Sequence, residues 1–133
     1  MIAAVADTHA ALWYLLDDVR LSIPARALIS HATIARQKIA ISAISLVEVM
    51  YLVEKGRIVA SAYEDLVRAL GDPEHVFVEA PVSVDVVDSM RRVSRAEVPD
   101  MPDRIVAATG IFLGVPVISR DRRIRSASLT TVW

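Results

Sequence analysis

The sequence predicts an α/β protein, a three-layer α/β/α sandwich around a central, mostly parallel sheet of four to five strands. Two observations predict this class: the presence of short apolar runs and their alternation with helical segments. Short, continuously apolar runs alternate along the chain with longer segments of helical hydrophobic periodicity. Such runs are typical of strands buried on both faces, and their alternation with helices is typical of a parallel sheet covered on both sides. A length of 133 residues suits one compact unit, so we expect residues 1–133 to form a single domain.

The first half of the chain predicts two strands and four helices. Ile2–Ala6 is a continuously apolar run that predicts a buried strand, and residues 39–42 predict a second one. Pro24 suits the first turn of one helix, and Gly56 terminates another. The four predicted helices span 10–16, 23–37, 45–55 and 60–70.

The second half predicts three more strands and two helices. The segment 76–79 alternates in polarity, whereas the segment 115–119 is mainly apolar, and both have the length of a strand. A helix over 102–113 ends at Gly114. The remaining predicted elements are a helix at 84–93 and a last strand within 129–133.

Composition and charge exclude several classes of protein. Hydrophobic residues make up 54% of the chain and charged residues 23%, which excludes an intrinsically disordered protein. The 15 basic and 16 acidic residues give a net charge of −1, so the totals show no general basic surface for nucleic acid. Because there is no cysteine, disulfide scaffolds, zinc–thiolate sites and thiol nucleophiles are excluded.

The apolar residues are distributed along the chain rather than gathered in one long run. No run approaches the ~20 residues of a membrane-spanning helix, and the apolar start has neither the length nor the basic flank of a signal peptide. We therefore expect a cytoplasmic protein without a membrane partner. The mean hydropathy of +0.44 indicates more apolar surface than a small monomer buries, which favours a homodimer.

Three acidic residues are placed where parallel α/β proteins build their sites. Asp7 follows the first strand, Asp121 follows the strand at 115–119, and Asp103 lies in the first turn of a helix. Sites in such sheets form at the carboxyl ends of the strands. Each residue taken alone has a purely structural alternative, since carboxylates cap helix N-termini and favour their positive end.

Glu48 has no such alternative. It lies in the middle of a predicted helix with apolar residues on nearly every side, and Ser45, Tyr51 and Leu52 at helical spacing offer no cation. A carboxylate in such surroundings is costly unless it is paired or binds a metal. The remaining alternative is that Glu48 forms a thin polar edge of the helix at the solvent border.

Four acids from separate segments indicate one acidic pocket. Carboxylates that crowd together raise each other's pKa, so such a pocket needs a cation. Oxygen ligands without cysteine or suitably spaced histidine select Mg²⁺ or Mn²⁺ over zinc. His9, His31 and His75 show no metal-binding spacing and are not assigned to the site.

With these residues placed, the chain resembles the PIN-domain ribonucleases, specifically the VapC-type toxins of VapBC type II toxin–antitoxin systems. The likeness covers nearly the whole chain and rests on four motifs that occur in the family's order. The motifs are VADTHA at 5–10, ISAISLVEV at 41–49, DMPDRIVAAT at 100–109 and VISRD at 117–121. Two departures are Pro102, which does not directly follow Asp100, and Gly110, where the family usually has alanine.

The resemblance implies a PIN-like fold and a Mg²⁺- or Mn²⁺-dependent endoribonuclease. Its acidic quartet, both catalytic and metal-binding, would be Asp7, Glu48, Asp103 and Asp121. Of these, the first three would hold the main ion, and Asp121 would position water or a second ion. Supporting roles fall to Ser119, Thr8 and Asp100.

The resemblance also implies partners: an RNA substrate and a cognate VapB-type antitoxin. An anionic pocket does not attract RNA by itself, so cations must flank it, and the planar fork of arginine suits phosphates. The candidate RNA contacts are Arg104, Arg120, Arg122 and Arg123.

Three alternatives stay open at this point. The chain could be a PIN-like nuclease outside toxin–antitoxin systems, or a non-catalytic interaction module whose acids serve as helix caps. A phosphoacceptor receiver domain also gathers carboxylates at strand ends, but it would show an acidic pair after the first strand and a lysine after the last. Here the first strand ends in Asp7 alone, and the lysines are Lys38 and Lys55.

Overall fold

A computed structural model describes residues 1–127 and 129–133 and shows, within them, one sheet of five parallel strands with seven α-helices. The strands are β1 (Ile2–Ala6), β2 (Lys38–Ser42), β3 (Phe77–Ala80), β4 (Val117–Ile118) and β5 (Thr131–Val132). The helices are α1 (Thr8–Leu15), α2 (Ile23–Ile34), α3 (Ala43–Glu54), α4 (Ala62–Gly71), α5 (Val84–Ser89), α6 (Met101–Leu113) and α7 (Arg122–Ser126). A 3₁₀ turn, Met90–Arg92, follows α5.

The strand order is β3-β2-β1-β4-β5, so the direction of the connections reverses between β1 and β4. The register aligns the ends of the three central strands, since Ala6 pairs with Ile41 of β2 on one side and with Ile118 of β4 on the other. In open parallel sheets, the crevice at such a reversal is the usual place for a ligand.

Helices cover both faces of the sheet, because successive side chains of each strand point to opposite sides. On one face, Ala4 and Ala6 of β1 pack with the buried side chains of α1, α2, α3 and α4, including Ile29 and Leu66. On the other, Val5 packs with α5, α6 and α7. This confirms the predicted three-layer class with a parallel sheet.

The elements differ from the sequence prediction mainly at their ends. The predicted strand 115–119 is reduced to β4, because Pro116 has no N–H to donate and pairs through its carbonyl with the N–H of Val5 at 2.9 Å. The predicted helix 84–93 gives way to the 3₁₀ turn after Ser89. Within the described residues, no helix combines the length and the apolarity needed to cross a membrane.

Candidate active site

A cavity of about 310 Å³ opens at the carboxyl ends of β1 and β4. We call it the acid pocket. Every residue of the predicted quartet lines it, and so does Asp100. The complete lining consists of Asp7, Thr8, His9, Trp13, Glu48, Asp100, Asp103, Arg120 and Asp121.

Asp7 is both a helix cap and a pocket carboxylate. Its Oδ1 accepts the N–H of Ala10 at 2.9 Å and so caps α1, while the residue is only 9% exposed. Burial raises the pKa of Asp7, and the charge of Asp121 raises it further. Hydrogen bonds from the Ser119 hydroxyl and from Ala10, and the charge of His9, act in the opposite direction. The carboxylate is thus held in place at an electrostatic cost that a cation would relieve.

Ser119 connects two of the acids. Its fully buried hydroxyl makes a hydrogen bond to Asp7, and its Oγ accepts the N–H of Asp121 at 3.0 Å. Asp121 in turn caps α7, because its Oδ1 accepts the N–H groups of Arg123 and Ile124 at 2.8 and 3.2 Å. These contacts fix the position of Asp121 beside the end of β1.

Glu48 is anchored by a residue 40 positions earlier in the chain. The hydroxyl of Thr8 donates to Oε1 of Glu48 at 2.5 Å, and its oxygen lies 2.9 Å from Oγ of the buried Ser45. Burial raises the pKa of Glu48, and the charges of Asp100 and Asp7 add to this, while the hydrogen bond from Thr8 lowers it. A polar helix edge at the solvent border is therefore not a full description of Glu48, because this residue faces other carboxylates.

Helix α6 contributes the last two acids. Asp100 is its N-cap and accepts the N–H of Asp103 at 3.1 Å. Burial, followed by the charges of Asp100 and Asp121, raises the pKa of Asp103 to about 7. Glu48 and Asp7 contribute smaller increments. The charges of all four other pocket acids thus raise the pKa of Asp103.

The donor set fits a hard divalent cation, because it consists of carboxylates that repel one another in one half-buried cavity. Capping accounts for Asp7, Asp100 and Asp121, but it does not account for Glu48 or for the raised pKa of Asp103. In the part of the chain that the structure describes, no three His, Asp or Glu side chains form a ready-made ligand cluster. The acid pocket offers carboxylate oxygens, the ligand type that Mg²⁺ prefers, from five separate residues.

The predicted RNA-contact arginines have different surroundings. Arg104 donates from Nε to the carbonyl of Val93 at 3.0 Å and from Nη2 to that of Met90 at 2.8 Å. These bonds hold the 3₁₀ turn against α6, and an RNA contact by Arg104 stays a prediction. Arg120 lines the acid pocket, whereas Arg122 is exposed on α7. Arg123 is also on α7, where its backbone N–H bonds to Asp121.

Two residues of the acid pocket, His9 and Trp13, were not predicted as site residues from the sequence. The His9 ring lies 5.5 Å from that of Trp13, centroid to centroid, and its charge lowers the pKa values of Asp7 and Glu48. A signal was present in the sequence. Positions 9 and 13 are four apart on a helix that starts directly after Asp7, so they share one face beside it.

Comparisons with known proteins agree with this geometry. The family model of the PIN domain matches residues 4–128. Ribonuclease VapC22 of Mycobacterium tuberculosis (strain ATCC 25618 / H37Rv) is 31% identical over 141 aligned positions that cover the whole of both chains.

Two solved structures share the fold at low sequence identity. One is VapBC2 from Rickettsia felis bound to a DNA fragment from their promoter, with a TM-score of 0.71, 16% identity and coverage of 98% of this chain and 97% of that one. The other is FitAcB from Neisseria gonorrhoeae, with a TM-score of 0.61, 18% identity and coverage of 98% and 96%. The predicted PIN-like fold is confirmed, and the chain belongs to the PIN domain family as a relative of the VapC ribonucleases.

Proposed function

We propose that the chain is a Mg²⁺- or Mn²⁺-dependent endoribonuclease that acts in the cytoplasm as the toxin of a toxin–antitoxin pair. The observation that carries the proposal is the acid pocket, in which five carboxylates lie together at the reversal of strand order and the pKa values of Asp7, Glu48 and Asp103 are raised. The likeness to a protein named ribonuclease supports RNA as the substrate. Residues 1–133 form one catalytic domain in this proposal.

Asp7, Glu48 and Asp103 would hold the main ion, and Asp121 would position a water molecule or a second ion. A bound divalent cation lowers the pKa of its water and neutralises charge that develops on the phosphate. The protein's own contribution is orientation. Thr8 fixes the carboxylate of Glu48, and the Ser119 hydroxyl bonds to Asp7 and receives the N–H of Asp121.

Asp103 adds a proton step to this arrangement. With its pKa near 7, a large share of its carboxyl groups carries a proton at neutral pH in the absence of metal. To act as a ligand, Asp103 would have to lose that proton to solvent, because a protonated carboxyl is a poor ligand.

The decisive experiment compares wild type with Asp7→Asn on an RNA substrate, with Mg²⁺ or Mn²⁺ and with excess chelator. We expect cleavage by wild type only with the metal. Asp7→Asn should lower the rate by more than about 100-fold, since even outer partners of metal ligands contribute about 10- to 100-fold. Asparagine is as good an N-cap as aspartate, so the variant keeps the cap on α1 and its melting temperature should stay near that of wild type.

Robust cleavage in excess chelator would overturn the metal mechanism. Equal rates for wild type and a well-folded Asp7→Asn would favour the non-catalytic alternative, in which the acids act only as caps. Sequencing of RNA ends after induction of either variant would identify the cleaved RNA, with Asp7→Asn as the background control.

The toxin role is tested in cells. The names of the two structural neighbours, VapBC2 and FitAcB, support a partner that pairs with this chain, and we propose a VapB-type antitoxin. Expression of the chain alone should arrest growth, a co-encoded antitoxin should relieve the arrest, and Asp7→Asn should not arrest growth at all. Normal growth in the presence of active enzyme would exclude the toxin role and leave a nuclease outside toxin–antitoxin systems.

A further inference from the structure

We propose that Arg120, stacked on the indole of Trp13, forms a phosphate-binding site at the rim of the acid pocket. The inference rests on the proposed ribonuclease function and deepens it. It assigns the group that binds the RNA backbone beside the carboxylates, and it assigns Trp13 as the residue that positions this group.

The stacking geometry is the first observation. The guanidinium carbon of Arg120 lies 4.7 Å from the centroid of the Trp13 ring, within the range of a cation–π contact. Arg120 lines the acid pocket together with five carboxylates. Nevertheless, within residues 1–127 and 129–133 its guanidinium forms no ion pair or hydrogen bond, so its N–H donors stay available.

A free arginine in such a place needs a physical explanation, because the carboxylates attract its charge. The indole supplies one, since stacking holds the guanidinium plane against the aromatic face. Arg120 is thereby kept from neutralising the acids that must bind metal. The same planar fork matches two oxygens of a phosphate, which an approaching RNA backbone provides.

Trp13 is rigid enough for this task. It is 4% exposed and packs against the ring of Trp133 at 5.8 Å between centroids. A second arginine, Arg20, also stacks on it at 5.0 Å, but its Nε and Nη2 are engaged by Asp18 at 3.0 and 2.7 Å. Among the described residues, Arg120 is therefore the arginine that stacks on Trp13 and keeps its guanidinium N–H groups available for a ligand.

The test measures KM and kcat for a short single-stranded RNA with saturating Mg²⁺. Affinity for the same RNA is measured separately in an Asp7→Asn background, where no cleavage interferes. Arg120→Ala should raise KM and Kd about tenfold with little change in kcat, and Arg120→Lys should recover part of the loss, since lysine keeps the charge but not the fork. Arg68→Ala is the matched control, because it removes one exposed charge on α4, a helix that contributes no residue to the lining of the acid pocket.

Trp13→Phe tests the positioning role. Phenylalanine keeps an aromatic ring but stacks a cation less strongly, so KM should rise by a few-fold. In the Arg120→Ala background the same substitution should change KM no further, because Trp13 acts through Arg120. Melting temperatures of all variants show whether the fold persists, and the exposed Arg120 variants test the site even if Trp13→Phe unfolds.

Three outcomes would count against the inference. A KM for Arg120→Ala equal to that of Arg68→Ala would remove Arg120 from phosphate binding. Fully additive effects of Trp13→Phe and Arg120→Ala would remove Trp13 as its positioning residue. If wild type shows no metal-dependent cleavage, the proposed function fails and the inference falls with it, whereas the first two outcomes leave the nuclease intact.

Discussion

Single residues in the acid pocket both cap helices and line the proposed catalytic site. Asp7 and Asp121 cap the helices that follow their strands, and both also face the pocket. The sequence analysis weighed these roles as alternatives, because a cap and a metal ligand share the same local pattern. The structure shows the capping bonds at both positions, so the same carboxylate can cap a helix and also line the acid pocket.

The site could be predicted from sequence only as far as local pattern reaches. Each of the four acids stands at a strand end, at a helix start or in an apolar helix, and all four line one pocket as predicted. The bond from Thr8 to Glu48 spans 40 residues, and no local rule indicates it. The hydrogen bonds from Arg104 to the carbonyls of Val93 and Met90 could not be predicted either, because they depend on where the 3₁₀ turn packs.

Thr8→Val tests the anchoring of Glu48. Valine has nearly the same shape but no hydroxyl, so Glu48 loses its donor and its pKa should rise further. We expect the affinity for Mg²⁺ or Mn²⁺, measured by titration calorimetry, to fall about 10- to 100-fold. Thr109→Val is the matched control, because this buried hydroxyl bonds to the carbonyl of Ile105 within α6, away from the acids. Equal metal affinity in the two variants would contradict the anchoring role.

The raised pKa of Asp103 predicts how stability depends on pH. The unfolded chain loses this proton near the ordinary value of 3.8, whereas the folded protein keeps it to about 7. Between these values the folded state binds more protons, so the metal-free protein should lose stability as the pH rises from about 4 to about 7. Asp7 and Glu48, whose pKa values are also raised, act in the same direction.

Thermal melts in chelator across this pH range check that prediction. Asp103→Asn should flatten the decline, and added Mg²⁺ should raise the melting temperature of wild type more at pH 8 than at pH 5. An equal decline of the melting temperature in Asp103→Asn and wild type would show that Asp103 does not carry the effect.

At the scale of elements, prediction succeeded where the local pattern was clear and failed where it was absent. β1 has the predicted bounds, and α6 ends at Gly114, which adopts a left-handed conformation with φ of 68°. Helix α7 was missed because five residues carry no hydrophobic period. Asp121 caps this helix. The sequence indicated a possible cap at Asp121 but not the helix that follows it.

Gly110 shows how closely α6 packs on β4. A Cβ at this position would lie 2.6 Å from Cγ2 of Val117, so the residue that departs from the family's usual alanine has a steric reason here. Gly110→Ala should lower the free energy of unfolding in urea by about 1–3 kcal/mol. Gly71→Ala is the control, since no atom lies within 4 Å of its added Cβ, and its change should stay within about 1 kcal/mol. If Gly110→Ala has the same free energy of unfolding as wild type, Val117 of β4 must shift away from the added Cβ at little cost.

At the scale of the molecule, the predicted homodimer remains to be tested. The accessible surface is 7470 Å², above the ~6,900 Å² that scaling gives for a monomer of this mass. A largely apolar groove lies between α3 and the start of α6, where Val47, Tyr51 and Met101 are 51%, 60% and 59% exposed. These side chains give a second copy an apolar surface next to the acid pocket.

Sedimentation velocity over a concentration series checks the dimer. Wild type should sediment as a dimer, and Tyr51→Lys should shift it towards monomer by placing a charge in the groove. Ile34→Lys, at a side chain that is 83% exposed on α2, should leave the association unchanged. A monomeric wild type at every concentration would contradict the prediction.

The reversal of strand order between β1 and β4 also determines when the acid pocket can form during synthesis of the chain. β1 pairs early in the chain with β2, but its other neighbour, β4, is more than a hundred residues away along the sequence. Until the ribosome has released β4, one edge of β1 has no partner, and Ser119 and Asp121 are absent from the end of the sheet. A nascent chain can therefore fold its first helices and still lack part of the acid pocket. The pocket is completed late, by a contact between segments more than a hundred residues apart.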